Sequence, residues 1–536
     1  MQKKTVIKSL VLSSVLLLSA CGNGNSGSNE SANDVEVATE GFPIVDEEIT
    51  LNLMAPGTGN EWEAMPTMQE YEELTNINLE YTTPPMDDFG TRFNLTFASG
   101  DLPDMIFAPG SDILTPALEV DYGQQGLLLP LNDLIEEYAP NIKALLDENP
   151  QIRSAITTPD GNIYALPRVD EGDTAIWPIG PLWYNGDWLD ALDAEVPETL
   201  DEFYELMIRF RDEDPNGSGQ DDTIPISNGG LENPRVWFLS AFGLNSWDVE
   251  AIDGQVRYNP TTENARAYYE FFTKLYSEGL MDQEIFSQSD EMKKAKGQQN
   301  RIGLFQDWFS FFTTGRSEEE ALNDPMFFPL TSEWSPERSM AGSPRMVRGT
   351  FAITSANQYP EATMRWVDQM YTEEGAEYFD RGPEGHYWEW EDGEGSTKVY
   401  TEQAASEGEE YRGTITPFYG IATPGLGVQL PPIGGEESDF TKFIRESTQE
   451  NVEPYAEVAF PLVYLEQDEI DELQSIQGDV TTYIQEQEAQ FITGQLDVTN
   501  DADWDNYLST LENMGIERYI EIYQAAYDRN EAAAAE

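Results

Sequence analysis

ITLNLMAP (49–56), INLEY (77–81) and DMIFAP (104–109) are three short apolar runs with the pattern of β-strands. The segments between them, 62–74 and a second stretch that ends at Phe97, have the pattern of helices. Strands that alternate with helices are typical of parallel βαβ units. The sequence therefore predicts an α/β fold.

The clearest helix lies further along the chain, at residues 199–211. Thr199 and Glu202 have the spacing of a capping box. Four apolar residues then recur with the period of a helix: Phe203, Leu206, Met207 and Phe210. The C-terminal region is also predicted to be helical, because its apolar residues fall on one face: Trp504, Leu508, Leu511 and Met514.

The N-terminus has the pattern of an export signal. Lysines precede an apolar run at 10–18, and LSAC (18–21) resembles a lipobox. This pattern predicts a signal peptide at 1–20 and a lipid on Cys21, the only cysteine of the sequence. Residues 21–45 are rich in Gly, Asn, Ser and acidic residues, as in a flexible tether. We therefore expect a lipid-anchored protein on the extracellular face of the cell membrane, without disulfides.

The chain is strongly acidic, with 100 Asp plus Glu against 29 Lys plus Arg and a formal net charge of -71. Such a field repels polyanions, so nucleic acid is not an expected partner, and anionic lipid headgroups are not expected ligands. The acidity also suggests a saline or alkaline habitat, in which counterions screen the self-repulsion. Ordinary compositional drift of an acidic secreted protein is the alternative.

Seven groups of residues together resemble a known family. They are FASGDLPDMIF (97–107), QGLLLPLNDLIEEYAPN (125–141), DGNIYALP (160–167), LWYNGDWLDAL (182–192), the run from VPETL to TIP (196–225), GPEGHYW (382–388), and FITG with AAYDR near the end. In this order they resemble the extracellular solute-binding proteins (family 1) of carbohydrate ABC importers. The resemblance is to the lipoprotein branch related to alginate-oligosaccharide-binding proteins.

This resemblance implies a two-lobed periplasmic-binding-protein-like fold with a hinge and a helical C-terminal region. Each lobe would be discontinuous, with 46–183 and 304–365 in the first lobe and 184–303 and 366–536 in the second. The ligand, an oligosaccharide, would lie in the cleft between the lobes. The implied partners are the permease subunits of an ABC transporter, and the protein itself would be a monomer.

The run DPNGSGQDD (214–222) has the spacing of a calcium loop, with a glycine at the sixth position where such a loop turns sharply. It resembles the calcium loop of the alginate-binding relatives. The candidate ligands of a structural Ca²⁺ are Asp214, Asn216, Ser218, Gln220 and Asp222. Two residues depart from the pattern, since Thr223 and Pro225 stand where acidic ligands would follow. A polar turn after the preceding helix is the alternative.

Aromatic residues make up 12% of the chain, which suits a sugar site. Sugar rings present apolar C–H faces inside a rim of hydroxyls, so their sites combine aromatic rings with amides and carboxylates. Trp62, and Trp308 with Gln306 and Asp307, follow predicted strands, whose carboxyl ends face the ligand crevice of an α/β sheet, and Tyr387 and Trp388 lie in GPEGHYW. The candidates are Asn60, Trp62, Trp177, Gln306, Asp307, Trp308, Tyr387 and Trp388. A core or surface role is the alternative for each aromatic residue.

Arginines are scarce enough to be informative. An arginine in the cleft would suit the carboxylate of a uronic acid oligomer through a bidentate contact. Arg168 and Arg345 are predicted ligand-binding residues on this ground, and Arg348 and Arg381 raise the same question. The alternative is that each forms an ion pair with an acidic residue of the protein.

The sequence favours a binding protein over an enzyme. Two carboxylates suffice for a glycosidase, but carboxylates are so abundant here that counting pairs says nothing. The chain has a single histidine, His386, and lacks the GxSxG, HExxH and P-loop patterns. A glycoside hydrolase and a non-transport surface glycan-binding protein remain the alternatives to an importer's binding protein.

Overall fold

Strands and helices alternate along the computed structural model, which describes residues 35–534. The strands are β1 Ile49–Met54, β2 Ile77–Thr82, β3 Met105–Phe107, β4 Leu166–Asp170, β5 Leu182–Tyr184, β6 Ile224–Ile226, β7 Val249–Ile252, β8 Gln255–Tyr258, β9 Ile302–Gln306, β10 Met340–Ala341, β11 Met346–Ile353, β12 Trp388–Trp390, β13 Lys398–Tyr400, β14 Gly425–Gly427 and β15 Ala456–Glu457.

Helices connect and cover these strands, and the longest lie near the C-terminus. They are α1 Pro66–Thr75, α2 Met86–Ser99, α3 Pro116–Gln124, α4 Asn132–Tyr138, α5 Pro140–Glu148, α6 Pro150–Ile156, α7 Gly186–Leu192, α8 Leu200–Asp212, α9 Glu232–Phe238, α10 Glu263–Ser277, α11 Asp290–Gln298, α12 Ser310–Thr314, α13 Glu318–Ala321, α14 Pro360–Asp368, α15 Glu373–Arg381, α16 Glu402–Glu407, α17 Glu409–Ile415, α18 Asp439–Asn451, α19 Gln467–Ile492, α20 Asp501–Met514 and α21 Ile516–Ala534.

The first lobe is built on a six-stranded sheet with the order β14-β4-β11-β3-β1-β2. β1 pairs in parallel with β2 and β3, so the predicted βαβ units are confirmed. β11 runs antiparallel between β3 and β4. Leu51, Phe107 and Trp366 are among the buried side chains of its core.

The second lobe has its own core around a three-stranded sheet, β5-β9-β6. β9 is antiparallel to β5 and parallel to β6. Aromatic side chains dominate the core, among them Trp183, Phe203, Tyr268 and Trp504. The two-lobed α/β fold and the helical C-terminal region are therefore confirmed.

Helix α8 has the predicted capping box. The Thr199 hydroxyl accepts from the backbone N–H of Glu202, and the Glu202 carboxylate accepts from the backbone N–H of Thr199. Phe203 and Phe210 are fully buried. The polar start and the apolar face of this helix were both readable locally.

The described cores divide the chain differently from the predicted lobe boundaries. β9, expected at the return to the first lobe near 304, pairs with β5 and β6 and belongs to the second. Conversely, Trp366 and Phe379 are buried in the first core, and β14 joins the first sheet. The physical reason is strand pairing over long sequence separations, which no local pattern encodes.

The predicted signal peptide, Cys21 and most of the predicted tether lie outside the described residues. The tether was expected to extend to 45, but Ile44 and Val45 are buried in the first core. The Ile44 N–H also donates to the Thr75 carbonyl at 3.0 Å. The folded part therefore begins earlier than predicted. None of the helices between residues 35 and 534 has the length and apolarity needed to cross a membrane.

A buried contact joins α3 to the segment between β15 and α19. Tyr464, from the segment between β15 and α19, donates to the Glu119 carboxylate of α3 at 2.6 Å. Burial raises the pKa of Glu119 to about 7, although the bond from Tyr464 and the nearby Arg348 lower it. The Arg348 guanidinium lies 4.6 Å from the centre of the Tyr464 ring. These contacts tie α3 of the first lobe to the crossing segment.

Candidate ligand cleft

A cleft of 830 Å³ lies between the lobes and is lined by residues of both. The second lobe contributes Trp177 and Trp308, and the first contributes Phe418 and a run of small and apolar residues at 420–430. Charged residues in the lining are Arg168, Asp170, Asp380 and Arg381. The volume is within the range of small-molecule sites, which are mostly apolar with a few placed polar groups.

Trp308 is held at the end of β9 by a network of hydrogen bonds. The Asp307 carboxylate accepts from the Trp308 N–H at 2.9 Å and from the Thr313 hydroxyl at 2.7 Å. The Asp307 carbonyl accepts from the indole N–H of Trp183 at 2.9 Å. With its backbone fixed in this way, the Trp308 side chain is 49% exposed.

Gln306 and Asp307 are buried and do not line the cleft. The Gln306 amide donates to the Gly180 carbonyl at 3.2 Å. A Cβ at Gly180 would lie 2.8 Å from that amide and 2.9 Å from the Trp308 nitrogen, so only glycine fits. These two predicted ligand-binding residues thus support Trp308, because their side chains bond inside the second lobe.

Trp177 brings a polar atom as well as a ring. Its side chain is 5% exposed and lines the cleft. Its indole N–H is buried and finds no hydrogen-bond partner among the described residues. An unpaired buried donor is costly, and a sugar hydroxyl is an acceptor that would satisfy it.

Phe418 is a cleft residue that the sequence analysis missed. Its ring stacks on Phe379 with centroids 5.0 Å apart and contacts Phe107 edge-on at 6.1 Å. The following run, 420–430, reaches the cleft because β14 within it pairs with β4. Its local sequence reads as a Gly- and Pro-containing loop, so only this pairing identifies it.

The charged side chains of the cleft are bonded to one another or to near neighbours. Arg168 Nε donates to Asp170 Oδ1 at 2.6 Å. Arg412 Nη1 lies 2.8 Å from Asp380 Oδ1. Arg381 Nη1 lies 3.1 Å from a carboxylate oxygen of Glu377.

Arg345 is not brought to this cleft. It lines a separate cavity of 580 Å³ and lies 3.3 Å from the Glu453 carboxylate. Arg348 is also elsewhere, donating to the carbonyls of Ala155 and Val463 at 3.2 and 3.0 Å. An ion pair with an acidic residue of the protein therefore describes Arg345, whereas Arg348 bonds to backbone carbonyls.

Asn60 and Trp62 line another cavity of 580 Å³ in the first lobe. Trp62 is 1% exposed and meets Phe107 edge-on at 5.8 Å. Asn60 donates to the Gly413 carbonyl at 3.0 Å. Trp62 is thus a core residue in this structure, since its ring packs against the first sheet.

Tyr387 and Trp388 form a small cluster of their own, away from the lining of the cleft. The Trp388 indole N–H donates to the Gly382 carbonyl at 2.9 Å. The Lys398 ammonium lies 4.3 Å from the centre of the Trp388 ring. Both rings are buried within this cluster, so the structure does not place them with Trp177 and Trp308.

The predicted calcium loop curls around Asp222. The Ser218 hydroxyl and the Asn216 amide donate to Asp222 Oδ1 at 2.7 and 3.1 Å, and these bonds lower the pKa of Asp222. The Asp214 carboxylate accepts from the Gly219 N–H at 3.0 Å. Gly219 has a φ of 66°, which favours glycine. No group of three His, Cys, Asp or Glu suited to a metal occurs among residues 35–534.

Residues 58–377 match the family model described as bacterial extracellular solute-binding protein. The chain is 29% identical, over 99% of each chain, to the fructooligosaccharide ABC transporter substrate-binding protein FusA of Streptococcus pneumoniae serotype 4. It is 28% identical to lipoprotein LipO of Bacillus subtilis, over 44% of this chain and 45% of that one.

Solved structures repeat this likeness. Compared with this chain, the structure of FusA in complex with kestose has a TM-score of 0.73 and 26% sequence identity, over 90% of this chain and 99% of that one. The structure of an EF-hand mutant of FusA in complex with fructo-nystose gives the same values. The alginate-binding protein AlgQ2 without calcium ion has a TM-score of 0.68 and 24% identity, over 90% and 98%, which shows the shared fold.

Proposed function

The chain belongs to the family of bacterial extracellular solute-binding proteins, and from this premise we propose that it captures an oligosaccharide for an ABC importer. The observation that carries the proposal is the cleft lined by Trp177 and Trp308 of one lobe and Phe418 of the other. Flat rings and a donor without a partner suit sugar faces and hydroxyls. FusA, similar over its full length, binds fructooligosaccharides as its name states.

The mechanism that we propose is closure of the lobes on the ligand. Trp308 follows β9 of the second lobe and Phe418 packs against the first core, so a sugar between them would be enclosed when the lobes approach. Closure would remove water from the sugar and present one shape to the permease. The segments that cross between lobes, near β4, β11 and β15, would then act as the hinge.

Binding without turnover fits the carboxylates of the cleft. Of the described residues that line it, Asp170 and Asp380 are the carboxylates, and each is bonded to a guanidinium. A glycosidase needs one carboxyl that gives a proton and one that acts as base or nucleophile. Carboxylates already engaged by arginine are poorly placed for either task.

The location that we propose is the outer face of the membrane. The lipobox-like LSAC and its single cysteine, Cys21, would place a lipid at the start of the mature chain. LipO, which is similar over about half of this chain, is a lipoprotein. An anchor of this kind would keep the binding protein near its permease, and the protein would act as a monomer.

Thermal unfolding tests the proposed function. Ligand that binds only the folded state raises the melting temperature by mass action, so kestose or a longer neutral oligosaccharide should raise it and be recovered intact. The measurement is the melting temperature of the protein with each member of a panel of neutral and uronic oligosaccharides of matched lengths. Shortened sugar in hydrolase-free protein would favour the glycosidase, and no shift with any sugar would contradict the proposed function.

We also propose that the loop 214–222 holds a structural Ca²⁺. The donor chemistry fits, because oxygen-bearing side chains of Asp214, Asn216, Ser218 and Asp222 converge in one loop, and calcium prefers many oxygen ligands. Gln220 would contribute through its carbonyl, which already accepts from Ser218. FusA, for which an EF-hand mutant is known, supports a metal loop in this type of protein.

Chelation should therefore lower the melting temperature of the protein by a few degrees, since metal bound to the folded state is lost. Ca²⁺ should restore it and Mg²⁺ restore it poorly, because Mg²⁺ demands an octahedral site. Asp214→Ala should abolish the response, whereas Asp221→Ala, an exposed neighbour outside the ligand set, should keep it. Identical melting curves with and without chelator would refute the calcium site.

A further inference from the structure

We propose that this cleft selects uncharged oligosaccharides and discriminates against uronic acid sugars. The inference rests on the proposed function and names the ligand class of the same site. Of the described lining residues, two are cations, Arg168 and Arg381, and two are carboxylates, Asp170 and Asp380.

The Arg168–Asp170 pair is built into the sheet. Both residues lie on β4, and their side chains meet at 2.6 Å. Gly427 of the adjacent strand β14 pairs with Asp170, and a Cβ there would collide with the Asp170 carboxylate and lie 2.6 Å from Arg168 Nη2. The absence of a side chain at 427 leaves the room that this ion pair occupies.

The other charges of the cleft, Arg381 and Asp380, belong to two separate sets of ion pairs. Arg381 contacts Glu377 at 3.1 Å, and Glu377 also contacts Lys398 at 2.7 Å. Asp380 contacts Arg412 at 2.8 Å. Each guanidinium in the lining thus already has an internal carboxylate.

A sugar carboxylate would have to displace one of these partners. Displacing Asp170 would leave a partly buried carboxylate without its cation, and removing one member of such a pair is more costly than the pair is favourable. The formal net charge of -71 also repels an anionic ligand before it arrives. A neutral sugar meets neither penalty, because hydroxyls bond to the paired groups as they stand.

The test uses one sugar in two forms. The best neutral ligand of the panel, kestose in the first instance, is oxidised at a primary alcohol to the carboxylate and also converted to the carboxamide, which has the same size without charge. In calorimetry with the intact protein, the carboxamide should bind at least tenfold tighter than the carboxylate. Equal or tighter binding of the carboxylate would overturn the inference. If neither form binds and the parent sugar does not bind either, the proposed function is contradicted instead.

A variant tests whether the preference for the carboxamide depends on the Arg168–Asp170 ion pair. Asp170→Asn leaves Arg168 without its carboxylate, so the preference for the carboxamide should fall to threefold or less. Glu453→Gln is the matched control, since it removes the partner of Arg345 outside the cleft and should leave the preference unchanged. If the Asp170→Asn protein folds and still prefers the carboxamide as strongly as the native protein does, the inference is overturned. If that variant does not fold, the affinities of the native protein for the carboxylate and the carboxamide decide whether the inference holds.

Discussion

Replacing Trp308 with alanine is expected to weaken oligosaccharide binding by about 1–3 kcal/mol, because a buried stacking contact between a sugar and an aromatic ring has this order of magnitude. Trp308 is half exposed at the cleft, so the substitution should leave the melting temperature nearly unchanged. Titration calorimetry with the neutral oligosaccharide from the ligand panel measures the loss.

Trp334→Ala is the matched control for this variant. Trp334 is 42% exposed and lies outside the residues that line the cleft. Its removal should change neither affinity nor cooperativity of unfolding. If Trp308→Ala binds the sugar as tightly as the native protein does, Trp308 is not part of the ligand site.

Glu488→Gln is expected to lower the free energy of unfolding by about 3–5 kcal/mol, because it leaves a buried guanidinium without a counter-charge. Arg235 of α9 donates to both carboxylate oxygens of Glu488 on α19, at 2.9 and 2.7 Å. The two side chains are only 11% and 5% exposed. The Tyr268 hydroxyl adds a third hydrogen bond to this carboxylate at 3.3 Å, and the Arg235 guanidinium lies over the Trp247 ring.

Urea denaturation followed by circular dichroism measures this loss, with Glu472→Gln as the control. Glu472 pairs with Arg518 at 2.8 Å on the surface, and these side chains are 43% and 46% exposed. Breaking an exposed pair should cost less than about 1 kcal/mol. Equal effects of the two substitutions would show that burial does not govern the strength of the Arg235–Glu488 pair.

Single elements of the fold were predictable because their information is local. The capping box and apolar face of α8 lie within one short segment and appear as predicted. β1, β2 and β3 were also readable, and their parallel pairing follows from the alternation with helices. The partition between lobes was not readable, since β9 looks like any buried strand and its partners β5 and β6 lie far away in sequence.

The candidate site divides in the same way. Trp308, Trp177 and Arg168 were named from the sequence, and the structure places them in one cleft, although their contact with a ligand is still a prediction. Trp62 and Trp388 have the same residue type, but their rings are enclosed by other side chains. Residue type and position after a strand do not say which way a ring faces.

The sequence by itself determined the composition, the charge, the family resemblance and the short-range signals, because turns, caps and periodic faces are properties of adjacent residues. Only the tertiary structure decided to which lobe β9 and β14 belong and which aromatic rings face the cleft. It also decided that Arg168 and Arg381 form ion pairs with carboxylates of the protein. The physical reason is that burial and ion pairing depend on groups brought together by long-range strand and helix contacts. Because the sequence contains 100 acidic residues, each arginine has too many possible partners for its actual partner to be predicted.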